Sequence, residues 1–136
     1  MIVKLANGRY LMGYSHYRWN EKSWPADDYI KDNEKRSCLM SLDTKMILAP
    51  STDQNLIYCN DKWGPCFGAG ELKISNECNI NGDSEVAVTK GTYTYNIKEQ
   101  KEYKRLDEEV MMSFAGVRPN LWNVKVLEYE VFKVCF

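Results

Sequence analysis

Seven residues near the middle of the chain, Gly64-Pro65-Cys66-Phe67-Gly68-Ala69-Gly70, combine three glycines with a thiol. Glycines so spaced can bare backbone N–H groups to a phosphate, and a cysteine among them can serve as a nucleophile. A phosphate loop needs Lys-Ser/Thr at the mouth of a helix, and a dinucleotide turn needs GxGxxG before one. Here Glu71-Leu72-Lys73-Ile74 follows and alternates as a strand does, which argues against both. The structural alternative is a tight, backbone-packed loop where side chains do not fit. A reactive Cys66 would need an electropositive, accessible setting and a histidine base. The sole histidine is His16, set among Tyr14, Tyr17 and Trp19. The other reading of Cys66 is a small buried hydrophobe. With one histidine, a His-rich metal site is excluded.

Two further patterns could carry chemistry. Glu128 and Glu130 are two apart in a strand-like run, which places both carboxylates on one face about 7 Å apart. Inverting glycosidases use such a separation for acid and base. The alternative is a solvated face. Residues 77–85 resemble a calcium loop, with Glu77, Asn79, Asn81 and Gly82 at the first, third, fifth and sixth positions. The twelfth is Val88, where a bidentate glutamate belongs, so a polar turn is the expectation. No cofactor is implied by any of these.

The elements that must position these residues read mostly as strands. Residues 2–6 and 9–14 flank Asn7-Gly8, the strongest short hairpin signal. Residues 15–36 turn polar and are expected to form a long loop pinned by Trp19 and Trp24, with a short helix near 27–33. A second hairpin runs over 38–42 and 45–49, closed by Pro50. Strands are expected at 55–59, 71–75, 85–89 and 92–97, with a turn over 76–84. Residues 98–110 are charged and read as a short exposed helix or a solvated insertion. The longest strand signal spans 121–136. Its apolar parity switches, so it needs a bulge near Val126–Leu127 or burial on both faces. Strands spaced by turns indicate an antiparallel sandwich or a strand-dominated α+β domain.

Length and charge narrow the classes. A chain of 136 residues fits one domain and can bury a core without metal or disulfide. Lys and Arg number 18 against 19 acids, which disfavours a phosphate-gripping nucleic-acid binder. The five cysteines are odd in number and form no CxxC pair, so zinc ribbon and thioredoxin-type sites are excluded. With no signal segment or sequon, the expectation is a reduced cytoplasmic or nuclear protein. No apolar run reaches 18 residues, so no membrane insertion is expected.

Four segments in order resemble the TLDc domain of the oxidation-resistance proteins. GRYLMGY at 8–14 is similar to a family hairpin ending Gly-Gly-Tyr, with Met12 in place of the first glycine. SCLMSL at 37–42 sits where the family has Phe-Leu-Phe-Ser-Leu. IYCNDKWGPCFGAG at 57–70 matches Gly-Pro-x-Phe-Gly-x-Gly, with Cys66 where a small Ser or Thr is expected. FAGVRPNLWNVKVLEYEVFKV at 114–134 resembles the closing segment, whose Glu-Val-Phe ending is Glu130-Val131-Phe132. The family's upstream helices and strand have no counterpart, and 98–110 looks like an insertion.

The resemblance implies an antiparallel two-sheet sandwich with a few short helices and no catalytic centre. It also implies a protein-interaction role in the oxidative-stress response, with the peripheral part of the V-ATPase among the partners. Gly13, Gly64, Gly68, Gly70 and Glu130 fall on family positions, and the loop at 64–70 is expected to be part of the contact surface. Three other functions stay open from the residues themselves. They are a nucleic-acid-binding regulator using Lys98, Lys101, Lys104 and Arg105, a thiol antioxidant centred on Cys66, and a carbohydrate-active sandwich using Glu128 and Glu130.

Overall fold

The computed structural model describes residues 1–17, 28–51, 53, 56–59, 63–87, 93–94, 103–118 and 123–135, with backbone alone at 28, 59, 94 and 103–108. The chain runs β1 (Ile2–Leu5), β2 (Tyr10–Tyr14), β3 (Asp28–Ile30), β4 (Cys38–Ser41), β5 (Ile47–Pro50), β6 (Ile57–Cys59) and β7 (Trp63–Phe67). It continues through β8 (Leu72–Ser75), β9 (Ser84–Glu85), β10 (Tyr93–Thr94), α1 (Tyr103–Ala115), β11 (Asn123–Val124) and β12 (Val126–Glu130). Two antiparallel sheets result, ordered β10-β5-β4-β2-β1-β12 and β11-β9-β8-β7-β6-β3. They form a β-sandwich, as the pattern of strands and turns predicts.

Alternation decides which side chains enter the space between the sheets. Val3, Leu11, Leu39 and Leu48 come from the first sheet, and Ile57, Phe67, Leu72 and Ile74 from the second. All of them are essentially without exposed surface. A fully buried side chain of this kind stabilises by about 1.5–3 kcal/mol relative to leaving it in water. Gly13 on β2 lets the sheets approach. A Cβ there would lie 2.2 Å from Cε2 of the Phe67 ring.

The first hairpin forms where Asn7-Gly8 places it. Only Gly8 takes positive φ, at 87°. Leu5 N–H donates to Arg9 O and Gly8 N–H to Leu5 O, at 2.9 and 3.0 Å. Asn7 does other work. Its Oδ1 accepts from Arg9 N–H at 3.1 Å, and its Nδ2 donates to Ala115 O at 2.8 Å. The turn therefore caps the carbonyl end of α1. Gly116 ends that helix at φ 67°, the usual left-handed stop.

Several expectations are corrected. The short helix near 27–33 is absent from its described part, which instead contains β3. Pairing overrides the local polarity there: Tyr29 lies opposite Tyr58 and Ile30 opposite Ile57. The two tyrosine rings sit 4.8 Å apart. The helix in the charged region runs to Ala115, beyond the boundary drawn at 110. Its apolar side begins there, with Met111, Phe114 and Ala115 in the core at the i, i+3, i+4 spacing of one helical face. Of the loop expected over 15–36, residues 18–27 with Trp19 and Trp24 lie outside the described residues. The strand expected over 85–89 is β9 at Ser84–Glu85, with 86–87 not strand and 88–89 outside the described residues, and of 92–97 only β10 at Tyr93–Thr94 is described.

The single long strand over 121–136 is two short ones. Val124 belongs to the second sheet and Val126 to the first, so the chain changes sheet across Lys125. Leu5 pairs with Val126 and Lys4 with Glu128, which leaves Leu127 as an extra residue. This bulge and the change of sheet together account for the parity switch. Residues 131–135 are not strand.

Candidate functional site

The glycine segment is half strand and half turn, rather than a loop throughout. Trp63, Gly64, Pro65, Cys66 and Phe67 form β7, and Gly68 and Gly70 turn the chain into β8 at φ 61° and 110°. Those angles favour glycine because no Cβ opposes them. A Cβ on Gly64 would meet Ile74 O at 3.3 Å, a tight but smaller intrusion than at Gly13. Gly68 and Gly70 are buried and Ala69 is exposed, so little of the segment is surface.

Cys66 occupies the outer face of the second sheet, in a cross-strand row Tyr29–Tyr58–Cys66–Lys73–Glu85. It is 2% exposed, and its Sγ lies 3.7 Å from Gly68 O. Lys73 forms an ion pair with Glu85 and sits 4.3 Å from the Trp63 ring centroid. His16 is exposed and meets Tyr17 edge-on, with ring centroids 5.7 Å apart. The turn after β8 satisfies itself. Asn81 Oδ1 accepts from Ser75 Oγ and Asp83 N–H, and its Nδ2 donates to Asn76 O. Among the described residues no group of three His, Cys, Asp or Glu is placed to hold a metal.

A buried polar network lies beside the glycine turn, and its members carried no signal in the sequence. Asp32 has no exposed surface, and its Oδ2 accepts from Arg36 and Ser37 N–H at 2.8 and 3.0 Å. Ser37 Oγ lies 3.0 Å from the Tyr93 hydroxyl, which donates to Leu56 O at 2.8 Å. Gly68 N–H donates to the same carbonyl at 2.8 Å. Burial raises the Tyr93 pKa strongly, and the charges of Glu71, Asp32 and Cys38 add to the rise against a lowering by Ser37. Burial raises Tyr29 as well, with Cys66, Tyr58 and Glu71 contributing. These tyrosines are held protonated. The network joins 32–37, 56, 68 and 93 across the fold, and its chemistry is that of a structural tie.

The other predicted residues meet on the opposite sheet. Glu128 and Glu130 lie on β12 opposite Lys4 and Ile2, on the outer face. Glu128 accepts from Lys4 Nζ at 3.1 Å. The Lys4 pKa is raised by this bond and by Tyr10, whose ring lies 5.7 Å away on β2. Tyr129 faces inward opposite Val3. Since β12 is the last strand of its sheet, Tyr129 remains 39% exposed. Leu127, Val131, Phe132 and Val134 are 43%, 59%, 53% and 54% exposed. The parity of 121–136 marked this segment as strand, but nothing in it reveals that it ends a sheet. The side chains of Lys98, Lys101, Lys104 and Arg105 lie outside the described residues. No helix among the described residues is long and apolar enough to cross a membrane. No protein-family model, no curated protein and no solved structure matches the chain.

Proposed function

We propose that the chain is a TLDc-like, non-catalytic interaction module of the oxidative-stress response, working in the cytoplasm or nucleus through a protein partner. Subunits of the peripheral V-ATPase are the partner class that the resemblance supplies. The observation that carries the reading is the β12 edge. Five apolar side chains, Leu127 and Tyr129 on β12 and Val131, Phe132 and Val134 in the segment after it, keep a third or more of their surface in water, and among the described residues β12 has a neighbour on one side only. Open, apolar sheet edges are where extended segments of other chains add. The contact surface is therefore assigned to β12 and the residues after it, in place of the glycine segment. Gly13, Gly64, Gly68 and Gly70 serve the sandwich, and Glu130 lies on the contact edge.

The test is co-purification from peroxide-treated cells, together with direct binding to purified peripheral V-ATPase subunits. Recovery of a protein that Leu127→Lys with Tyr129→Lys no longer retains, at unchanged fold, supports the reading. Equal retention by both proteins, or recovery of none, counts against it.

A further inference from the structure

The side chains of β12 restrict what a partner strand can carry. Its outer face bears two exposed carboxylates, Glu128 and Glu130. Its inner face offers Tyr129, which lies opposite buried Val3 and stays 39% exposed. A strand laid against β12 adopts the same alternation, because directly opposed residues share a face. Its outward residues then meet carboxylates, and its inward residues cover Tyr129.

A second copy of β12 does not satisfy this. In an antiparallel pair related by a two-fold axis, opposed residues share a face only if the axis passes a residue position. At Glu128 or Glu130 the axis sets identical glutamates against each other. At Tyr129 it sets Glu128 of one copy against Glu130 of the other, twice. Each register over 128–130 opposes like charges, which is destabilising. Of the two carboxylates, Glu128 already bonds to Lys4, whereas Glu130 has apolar Ile2 as its cross-strand neighbour. Glu130 is thus the stronger anchor for an incoming cation.

Resting on the interaction reading above, we propose that β12 receives, as a seventh strand of the first sheet, an extended segment of a protein partner in which Lys or Arg alternates with apolar residues. The probe is a fluorescent eight-residue peptide alternating lysine and valine, followed by anisotropy. Its comparators are a peptide of the same composition with the lysines in one block, and an alternating glutamate–valine peptide. The alternating lysine peptide is expected to bind at least tenfold more tightly than either, and to weaken as salt rises. The variant Glu128→Lys with Glu130→Lys should instead prefer the glutamate peptide, and Glu130→Gln alone should weaken lysine-peptide binding severalfold. Equal binding of the blocked peptide, no binding of the alternating one, or a preference unmoved by the substitutions overturns the proposal. Capture of a protein partner that is lost in Tyr129→Lys but kept in the double lysine variant overturns the charge rule and leaves the interaction reading standing. Capture kept in both variants removes both.

Discussion

Tyr129 lies directly opposite Val3 in the β1–β12 ladder, yet Val3 has no exposed surface and Tyr129 keeps 39% of its own. Both side chains point between the sheets. The difference is that Val3 has β2 on its other side, whereas no strand among the described residues pairs beyond Tyr129. Tyr129→Lys should therefore cost about 1 kcal/mol or less in stability, as exposed substitutions do. It should reduce the fluorescence of an apolar-surface dye such as anilinonaphthalene sulfonate. Unchanged dye binding would locate the exposed apolar surface elsewhere.

Gly13→Ala should destabilise, even though alanine is intrinsically favoured over glycine in a strand by roughly 0.5–1 kcal/mol. The new methyl would sit 2.2 Å from a fully buried phenyl ring that has little room to retreat. Overpacking of this kind costs typically about 1–3 kcal/mol, so the clash wins and the melting temperature falls. Phe67→Leu in the same chain should recover part of the loss. A double-mutant cycle by urea denaturation reads the coupling, which should be absent if the two residues do not touch.

Tyr93→Phe should cost about 1–3 kcal/mol near neutral pH, because Ser37 Oγ and Leu56 O lose a buried partner. The sign of the pH dependence follows from the raised folded-state pKa. The unfolded tyrosine releases its proton near pH 10 while the folded one retains it. This contribution is therefore complete below about pH 10 and is lost above it, by at most about 1.4 kcal/mol per pH unit. The gap between wild type and Tyr93→Phe should narrow as pH rises from 10 to 11.5, measured as urea midpoints. A constant gap would mean that Tyr93 is not buried as described.

Thiol labelling should separate Cys66 from Cys135. Cys135 is exposed, whereas Cys66 is 2% exposed. In native protein, Cys135→Ala should remove one fast-reacting thiol and Cys66→Ala none. Denaturant should be needed before Cys66 reacts. Fast labelling of Cys66 would revive the thiol chemistry that its position in a glycine segment suggested.

The parts of the fold that depend on local signals were legible in the sequence. Asn7-Gly8 turned where a hairpin needs a residue of positive φ, and the parity switch around Val126 marked a real bulge. Features set by distant partners were not legible. The polar stretch containing Asp28 and Asp32 reads as loop or short helix, yet Tyr29 and Ile30 pair with β6, and Asp32 is buried with its Oδ2 accepting from the N–H groups of 36 and 37. The end of the helix is not legible at 110 because its charged turns and its apolar face, Met111 and Phe114, follow one another along the chain. The exposed edge was hidden for a third reason. Glu128 and Glu130 pointed to one face, but whether a strand ends its sheet depends on strand order, which alternation does not encode.

The ladder between β1 and β12 pairs Lys4 with Glu128, 124 positions along the chain. During synthesis at about 5–20 residues per second, β1 waits several seconds or more for its second neighbour. Through that interval Val3 and Leu5 have β2 on one side and an open backbone on the other. A chaperone that shields extended apolar chain would meet this segment first. Slow codons placed before β12 should lengthen its exposure and lower the yield of folded protein.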